Sequence, residues 1–389
     1  MKERTERQNT KHQGTRVSRR GFLAAAGVVV AGAVAAPIIG AGWPSASVRP
    51  ASAAGTFSVP AEDVPHARTW MAFPDRTAIW GRGLGGVQSD IARIATTIAK
   101  HEPVTLCANP ASAARARSLC GSGVTVITDI PVDDCWMRDT GPVFRVDDSG
   151  ALDAVGLNFN GWGGKQAHTA DARVASRIAS FVGVPFARAD FVGEGGAIEQ
   201  DGFGTLMATR SSLVNDNRNR GLSQQEIEDA MLDAYGASAV IWFDGVRGQD
   251  ITDDHVYATS RFVAAGRGVV QLPHGSDDDA FARDARKQFS VLSAATTASG
   301  SAMTVSAIQG PDYDRIRSTS SSFLASYANY YVCNGAVIAG QFGDVRADAA
   351  AKAALAALFP GRVVEQVAID HLGAGGGGIH CVTQQQPAM

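Results

Sequence analysis

The chain is 389 residues long, with 35 basic and 38 acidic residues and a formal charge of −3. Five cysteines are too few for a disulfide scaffold at this length, and no Cys-x-x-Cys or His-Glu-x-x-His stretch occurs, so a structural zinc site is not expected. The first 53 residues hold eight of the basic and two of the acidic residues; the remainder carries 27 against 36, a formal −9 that argues against a nucleic-acid partner.

The N-terminus reads as an address. Ser18-Arg19-Arg20-Gly21-Phe22-Leu23 is a twin-arginine export pattern, preceded by Lys2, Arg4, Arg7, Lys11 and Arg16. An apolar run from Gly21 to Gly42 follows, then Ala51-Ser52-Ala53, which fits an A-x-A cleavage site. The run is close to the length that spans a bilayer, but it is rich in Gly and Ala and contains Pro37. The expectation is a removed signal over 1–53 and a single exported domain over 54–389. That domain has no further membrane span and works outside the cytoplasm, in the envelope or beyond it. The odd cysteine count leaves one thiol over unless the chain forms a homodimer through it.

Helical and strand patterns then alternate. Ile91, Ile94, Ala95 and Ile98 have helical spacing within a helix expected over 88–100, and strands are expected at 104–107 and 124–128. Ser223-Gln-Gln-Glu226 is a capping box that opens a helix toward Tyr235, with Gly236 as its stop and a strand at 240–243. An alanine-rich helix over 346–358 ends at Pro360-Gly361, and a strand at 363–369 follows.

Between these lie four hairpin patterns: 139–146 with 154–159, 195–200 with 204–209, 255–258 with 269–272, and 327–332 with 336–340. The second and fourth turn on Asp201-Gly202 and Asn334-Gly335. Trp70–Phe73 and His380–Thr383 supply strands for a fifth. Asp139, Glu194, His255 and Asn329 stand at or just before the first strand of their units, at steps of 55, 61 and 74 residues. Degenerate repeats of this kind would bring equivalent strand ends to a common axis; an ordinary α/β protein with several hairpins is the other reading.

The chemistry gathers at those positions. Cys381 follows Gly375–Gly378, where the backbone can approach a ligand closely. Cysteine with histidine is the pairing that makes a thiolate nucleophile. Two carboxylates beside them, Asp139 and Glu194, would hold a planar guanidinium through paired hydrogen bonds and fix charge around its carbon. Thiolate attack on that carbon with loss of ammonia is a deiminase reaction. A thiol protease has no use for the two carboxylates. Singly, each residue has a plainer role: Asp139 a cap or a partner of Arg138, Glu194 a turn acceptor, His255 a core histidine, Cys381 a passenger on a tail.

Trp136-Met-Arg-Asp-Thr-Gly-Pro142, Asn158-Phe-Asn-Gly-Trp-Gly-Gly164, Glu194-Gly-Gly-Ala-Ile198, Asn329-Tyr-Tyr331 and the 376–387 segment resemble the agmatine deiminase and bacterial peptidylarginine deiminase family. The resemblance spans roughly 57–388. It implies the pentein fold, an α/β-propeller of five pseudo-symmetric units around a central site. It implies Cys381 as the nucleophile that forms an amidino-cysteine, His255 as the acid and base, and Asp139 and Glu194 as guanidinium ligands. Trp136 is implied as a wall of the substrate channel, and no metal or organic cofactor is implied. The expected partner is a small cationic guanidine such as agmatine, or an arginine-containing peptide as the alternative. One departure stands out. The family pattern His-x-Asp reads His255-Val256-Tyr257 here. A neutral phenol in place of a carboxylate implies a loss of about 1.5–3 kcal/mol at a guanidinium contact, hence a weakly active or merely guanidine-binding relative. Asp253 and Asp254 are the candidates to compensate.

Overall fold

The computed structural model describes residues 57–275 and 277–388; the expected export signal over 1–53 lies outside the described residues. Within them stand five small sheets that share one plan. Two strands pair antiparallel, and a third lies parallel to the second. The sets are Val143–Val146, Leu152–Gly156 and Phe186–Arg188; Ile198–Gln200, Thr205–Thr209 and Ala239–Phe243; Ser260–Ala264, Arg267–Leu272 and Thr304–Gln309; and Tyr331–Cys333, Ala336–Gln341 and Val363–Ala368. A parallel partner requires a crossover rather than a tight turn. Helices Val174–Val182, Gln224–Tyr235, Ala280–Ala294 and Val345–Leu358 provide it.

The fifth sheet joins the two ends of the chain. Gln384–Pro387 pairs antiparallel with His66–Ala72, which runs parallel to Val104–Cys107, and Thr125–Ile127 extends the edge. Its crossover helix, Leu84–Ile98, starts four residues earlier than its apolar spacing suggests and buries Val87, Ile91, Ile94, Ala95 and Ile98. The seam between this sheet and its neighbour is polar. Glu102 accepts from the Asn334 backbone N–H at 2.7 Å and from the Tyr331 hydroxyl at 3.2 Å, and pairs with His66 at 3.1 Å. The capping box at Ser223 forms as expected, and Gly236 ends that helix with φ +62°.

One expectation needs correction. The strands of the hairpins do not begin at the reactive residues. Short helical turns come first: Met137–Thr140, Gly195–Ala197, Val256–Ala258 and His380–Val382. Each closes through a local bond, such as Ala197 N–H to the Glu194 carbonyl at 3.0 Å and Ala258 N–H to the His255 carbonyl at 3.1 Å. The strands start at Val143, Ile198, Ser260 and Gln384. Alternation of side chains between two faces therefore does not apply at the reactive residues. Of the described helices, none is long and apolar enough to cross a membrane.

Candidate active site

Each of the four turns delivers one reactive group. Asp139 lies within its turn, Glu194 and His255 immediately precede theirs, and Cys381 lies within the last. Asp139, Glu194 and His255 are buried; Cys381 is partly exposed. The groups converge from four different units. His255 Nε2 lies 3.3 Å from Glu194 Oε2, and its Nδ1 lies 3.7 Å from Asp139 Oδ1. The backbone N–H of Gly196 donates to Asp139 Oδ1 at 3.0 Å. A Cβ on Gly196 would stand 2.5 Å from that oxygen and 2.6 Å from His255 Nδ1, so only glycine permits this approach.

Cys381, the candidate nucleophile, has its own cradle. Asn329 Nδ2 donates to Cys381 Sγ at 3.3 Å, and the Gly378 N–H approaches it at 3.4 Å. Asn329 Oδ1 in turn accepts the His380 N–H at 2.9 Å, which fixes the amide so that its N–H faces sulfur. A Cβ on Gly378 would stand 2.4 Å from Asn329 Oδ1.

Charges follow from this packing. Burial, with the nearby Asp139 charge, pushes the Cys381 thiol up to about 11, against the pull of Gly378 and Asn329. Burial also raises Asp139, with help from Glu194. Burial opposes charge on His255, but Asp139 and Glu194 together outweigh it and raise the imidazole above its ordinary value. Glu194 is held below the ordinary range, because His255 and Arg218 outweigh its burial. The packing thus favours the charged form of the imidazole between two carboxyl groups and the protonated form of the thiol. A positive planar ligand placed between the carboxylates and sulfur would favour the thiolate.

Several supporting residues went unread in the sequence. Arg218 Nε donates to Glu194 Oε1 at 2.9 Å, and its Nη1 donates to Asp253 Oδ2 at 2.8 Å. Lys165 also binds Asp253, at 2.7 Å. Asp253 is therefore engaged by two cations and does not stand in for a missing guanidinium ligand; Asp254 accepts the Val246 N–H at 3.0 Å. Trp162 Nε1 donates to Asp139 Oδ2 at 3.0 Å. It does so from φ +55°, a conformation costing a bulky residue on the order of 1–3 kcal/mol. Asn158, Asp253 and Asp254 also have positive φ. The Asn158–Gly164 motif was visible as a pattern, but nothing local said that its indole would hold Asp139.

Trp136 lies beside Trp80, with ring centres 5.9 Å apart. Asp134 accepts from both indoles, at 2.9 and 2.7 Å. Trp136 rests on the cysteine-bearing loop so closely that a Cβ on Gly377 would stand 2.1 Å from the ring.

Tyr257 is placed elsewhere. It sits on a helical turn, and its hydroxyl donates to the Ile198 carbonyl at 2.8 Å. Its ring lies 4.0 Å from that of His380 and under the Arg261 guanidinium at 4.8 Å. The structure therefore corrects its assignment as a substrate contact: the side chain packs on His380 and Arg261, and its one donor is already used. The inferred loss from replacing an Asp at this position has no basis in this geometry.

Comparison with known proteins agrees with the architecture. Residues 58–387 match the Porphyromonas-type peptidyl-arginine deiminase family. The chain belongs to that family. Agmatine deiminase of Pseudomonas aeruginosa is 36% identical over 354 residues, covering 85% of this chain and 96% of the relative. The enzyme of the same name from Stutzerimonas stutzeri is 35% identical over 354 residues, with 85% and 96% covered. The structure of agmatine deiminase of Enterococcus faecalis superposes with a TM-score of 0.80 at 28% identity, over 85% of this chain and 96% of that one. The fold is accordingly the pentein propeller, and the protein is a hydrolase acting on C–N bonds of linear amidines. All five cysteines are free thiols, and no cluster of three metal-ligating side chains occurs among the described residues.

Proposed function

We propose that this protein deiminates agmatine or a closely related alkylguanidine, with Cys381 as nucleophile. The observation that carries the reading is the meeting of Asp139, Glu194 and His255 beside a thiol cradled by Asn329 and Gly378. The carboxylates orient the guanidinium by charge-assisted bonds. Its positive charge favours the thiolate against the burial and the Asp139 charge that hold the thiol protonated, and the thiol proton leaves to solvent from the partly exposed Cys381 before sulfur attacks. Sulfur bonds to the guanidinium carbon, His255 gives its proton to the departing nitrogen, and the C–N bond breaks with release of ammonia. Water then attacks the amidino-cysteine, His255 takes its proton, and the S–C bond breaks to leave a ureido product. Trp80 and Trp136 flank the glycine loop that carries the nucleophile, and near-complete burial of the carboxylates suits a slim alkylguanidine.

Ammonia release from agmatine, free arginine and a peptidyl-arginine ester, measured side by side, tests this. Release from agmatine at kcat/KM well above the other two supports it; preference for the peptidyl ester would replace it with a peptidylarginine deiminase. We also propose that residues 1–53 direct twin-arginine export. Cell fractionation of the full chain with Arg19→Lys and Arg20→Lys tests that, and unchanged export would refute it.

A further inference from the structure

Tyr257 joins the four units that deliver the reactive groups. It stands two residues after His255, on the turn Val256–Ala258. Its hydroxyl donates to the carbonyl of Ile198, the residue that follows the turn headed by Glu194. Its ring lies 4.0 Å from the ring of His380, which precedes Cys381, with 33° between the planes. The guanidinium of Arg138, which precedes Asp139, lies 5.9 Å from the same ring centre. The side chain thus meets the neighbours of the reactive groups rather than the groups themselves.

The contact with His380 leads to sulfur. Among the described residues the His380 ring has one hydrogen bond, from Nε2 to Glu62 at 2.6 Å, and its Nδ1 has no partner. A single bond at the tip of the ring leaves its plane free to turn, and packing against the Tyr257 ring fixes it. His380 is fully buried, and its backbone N–H donates to Asn329 Oδ1 at 2.9 Å. That bond aims Asn329 Nδ2 at Cys381 Sγ, 3.3 Å away. Displacement of the ring is therefore passed to the group that cradles the thiol. Tyr257 is itself firmly held. Arg261 lies 4.8 Å from its ring centre and is bound by Glu199 at 3.1 Å and Glu62 at 3.0 Å. Burial and the Glu199 charge push the phenol well above its ordinary value, so its hydroxyl remains a donor to Ile198.

We propose that Tyr257 is a positioning residue for catalysis: its ring, packed on His380 and pinned through its hydroxyl to the strand after Glu194, sets Cys381 relative to His255 and Glu194. The proposal rests on the reading of Cys381 as nucleophile. Attack by sulfur depends on placement, and an error of about 1 Å costs roughly 10²-fold in rate. An aspartate at this position has no ring to lay on His380. The departure from the His-x-Asp pattern thus exchanges a guanidinium ligand for a support of the nucleophile.

The experiment compares Tyr257→Phe, Tyr257→Leu and Tyr257→Asp with the wild type in the full chain. Two readouts are taken: kcat and KM for agmatine, and the rate at which iodoacetamide alkylates Cys381 at mildly alkaline pH, located by mass spectrometry. Tyr257→Leu should lower kcat by about 10–100-fold with KM little changed. It should also slow alkylation, because the thiol loses the pull of Asn329 toward its ionised form. Tyr257→Phe keeps the ring and should recover most of both losses. Tyr257→Asp should fall with Tyr257→Leu. A folded Tyr257→Leu with a lower Tm but wild-type kcat and alkylation rate overturns the proposal, and so does a loss in Tyr257→Phe equal to that in Tyr257→Leu. A gain in kcat/KM for Tyr257→Asp overturns it as well and returns position 257 to the ligand. If Tyr257→Leu does not fold, Tyr257→Met takes its place. Alkylation needs no substrate, so a wild type inactive on agmatine ends the agmatine reading while the alkylation rates still decide this one.

Discussion

His255 and His380 are both buried, both touch a glutamate, and both neighbour a reactive residue, yet they are tuned in opposite directions. His255 faces two carboxylates, which hold it charged despite its burial. His380 is driven well below the ordinary range by burial and by Arg138 and Arg261, and Glu62 does not offset them. Neutral His380 donates through Nε2 to an ionised Glu62, leaving Nδ1 without a partner among the described residues. The same pair of residue types thus gives a ring held toward its charged form at His255 and a neutral donor to Glu62 at His380. What differs is the count of charges around each ring: anions dominate around His255, cations around His380.

The comparison can be broken most sharply around His255. Cys381→Ala should reduce ammonia release by about 10⁴-fold or more, since no other thiol lies in the cradle of Asn329 and Gly378. Normal release from this variant would end the nucleophile assignment. Glu194→Gln should lower kcat by roughly 10²–10³-fold and also lower stability by about 3–5 kcal/mol, because Arg218 is left buried with one partner fewer. Denaturant unfolding beside steady-state kinetics separates the two effects.

The pH response distinguishes the two histidines. His255 has a raised folded value, so its contribution to stability is full below the ordinary imidazole value near 6.5 and is lost as pH rises through the folded one. His380 has a lowered folded value, so its contribution is present above the ordinary value and is lost as pH falls. Histidine NMR titrations should show one ring still charged above neutrality and one still neutral in mild acid. Two rings titrating together would erase the contrast. Alkylation of Cys381 should likewise rise toward pH 11 in the free protein and shift to lower pH when a guanidinium ligand is present.

The smallest expected effect concerns support of the carboxylate. Trp162→Phe removes one donor to Asp139, worth about 1 kcal/mol, and should cost roughly 5–10-fold in kcat/KM. An unchanged value would show that Gly196 alone positions Asp139.

Much of the site was legible because it consists of residue types whose chemistry is unusual in combination. A cysteine after four glycines, a histidine and two carboxylates at corresponding places in repeated units pointed to guanidinium chemistry before any coordinates. The crossover helices and third strands were legible from periodicity and caps. Less legible were the turns before each hairpin, because a three-residue turn and the first residues of a strand look alike in pattern. That mattered most at Tyr257, where the family pattern placed a side chain at the ligand and the helical turn aims it at the Ile198 carbonyl.

The sequence by itself offered the repeat plan beside an ordinary α/β reading, the family through the resemblance of its motifs, and four candidate reactive residues through their side-chain chemistry. Only the tertiary structure decided which neighbours each charge would meet. Arg218 reaches Glu194 across 24 residues, Trp162 reaches Asp139 across 23, and Glu62 reaches His380 across 318. A buried charge takes its protonation and its orientation from the groups packed around it in space. Asp139 and Arg138 are adjacent in the chain, but Asp139 meets His255 and Gly196 while Arg138 lies toward Glu62.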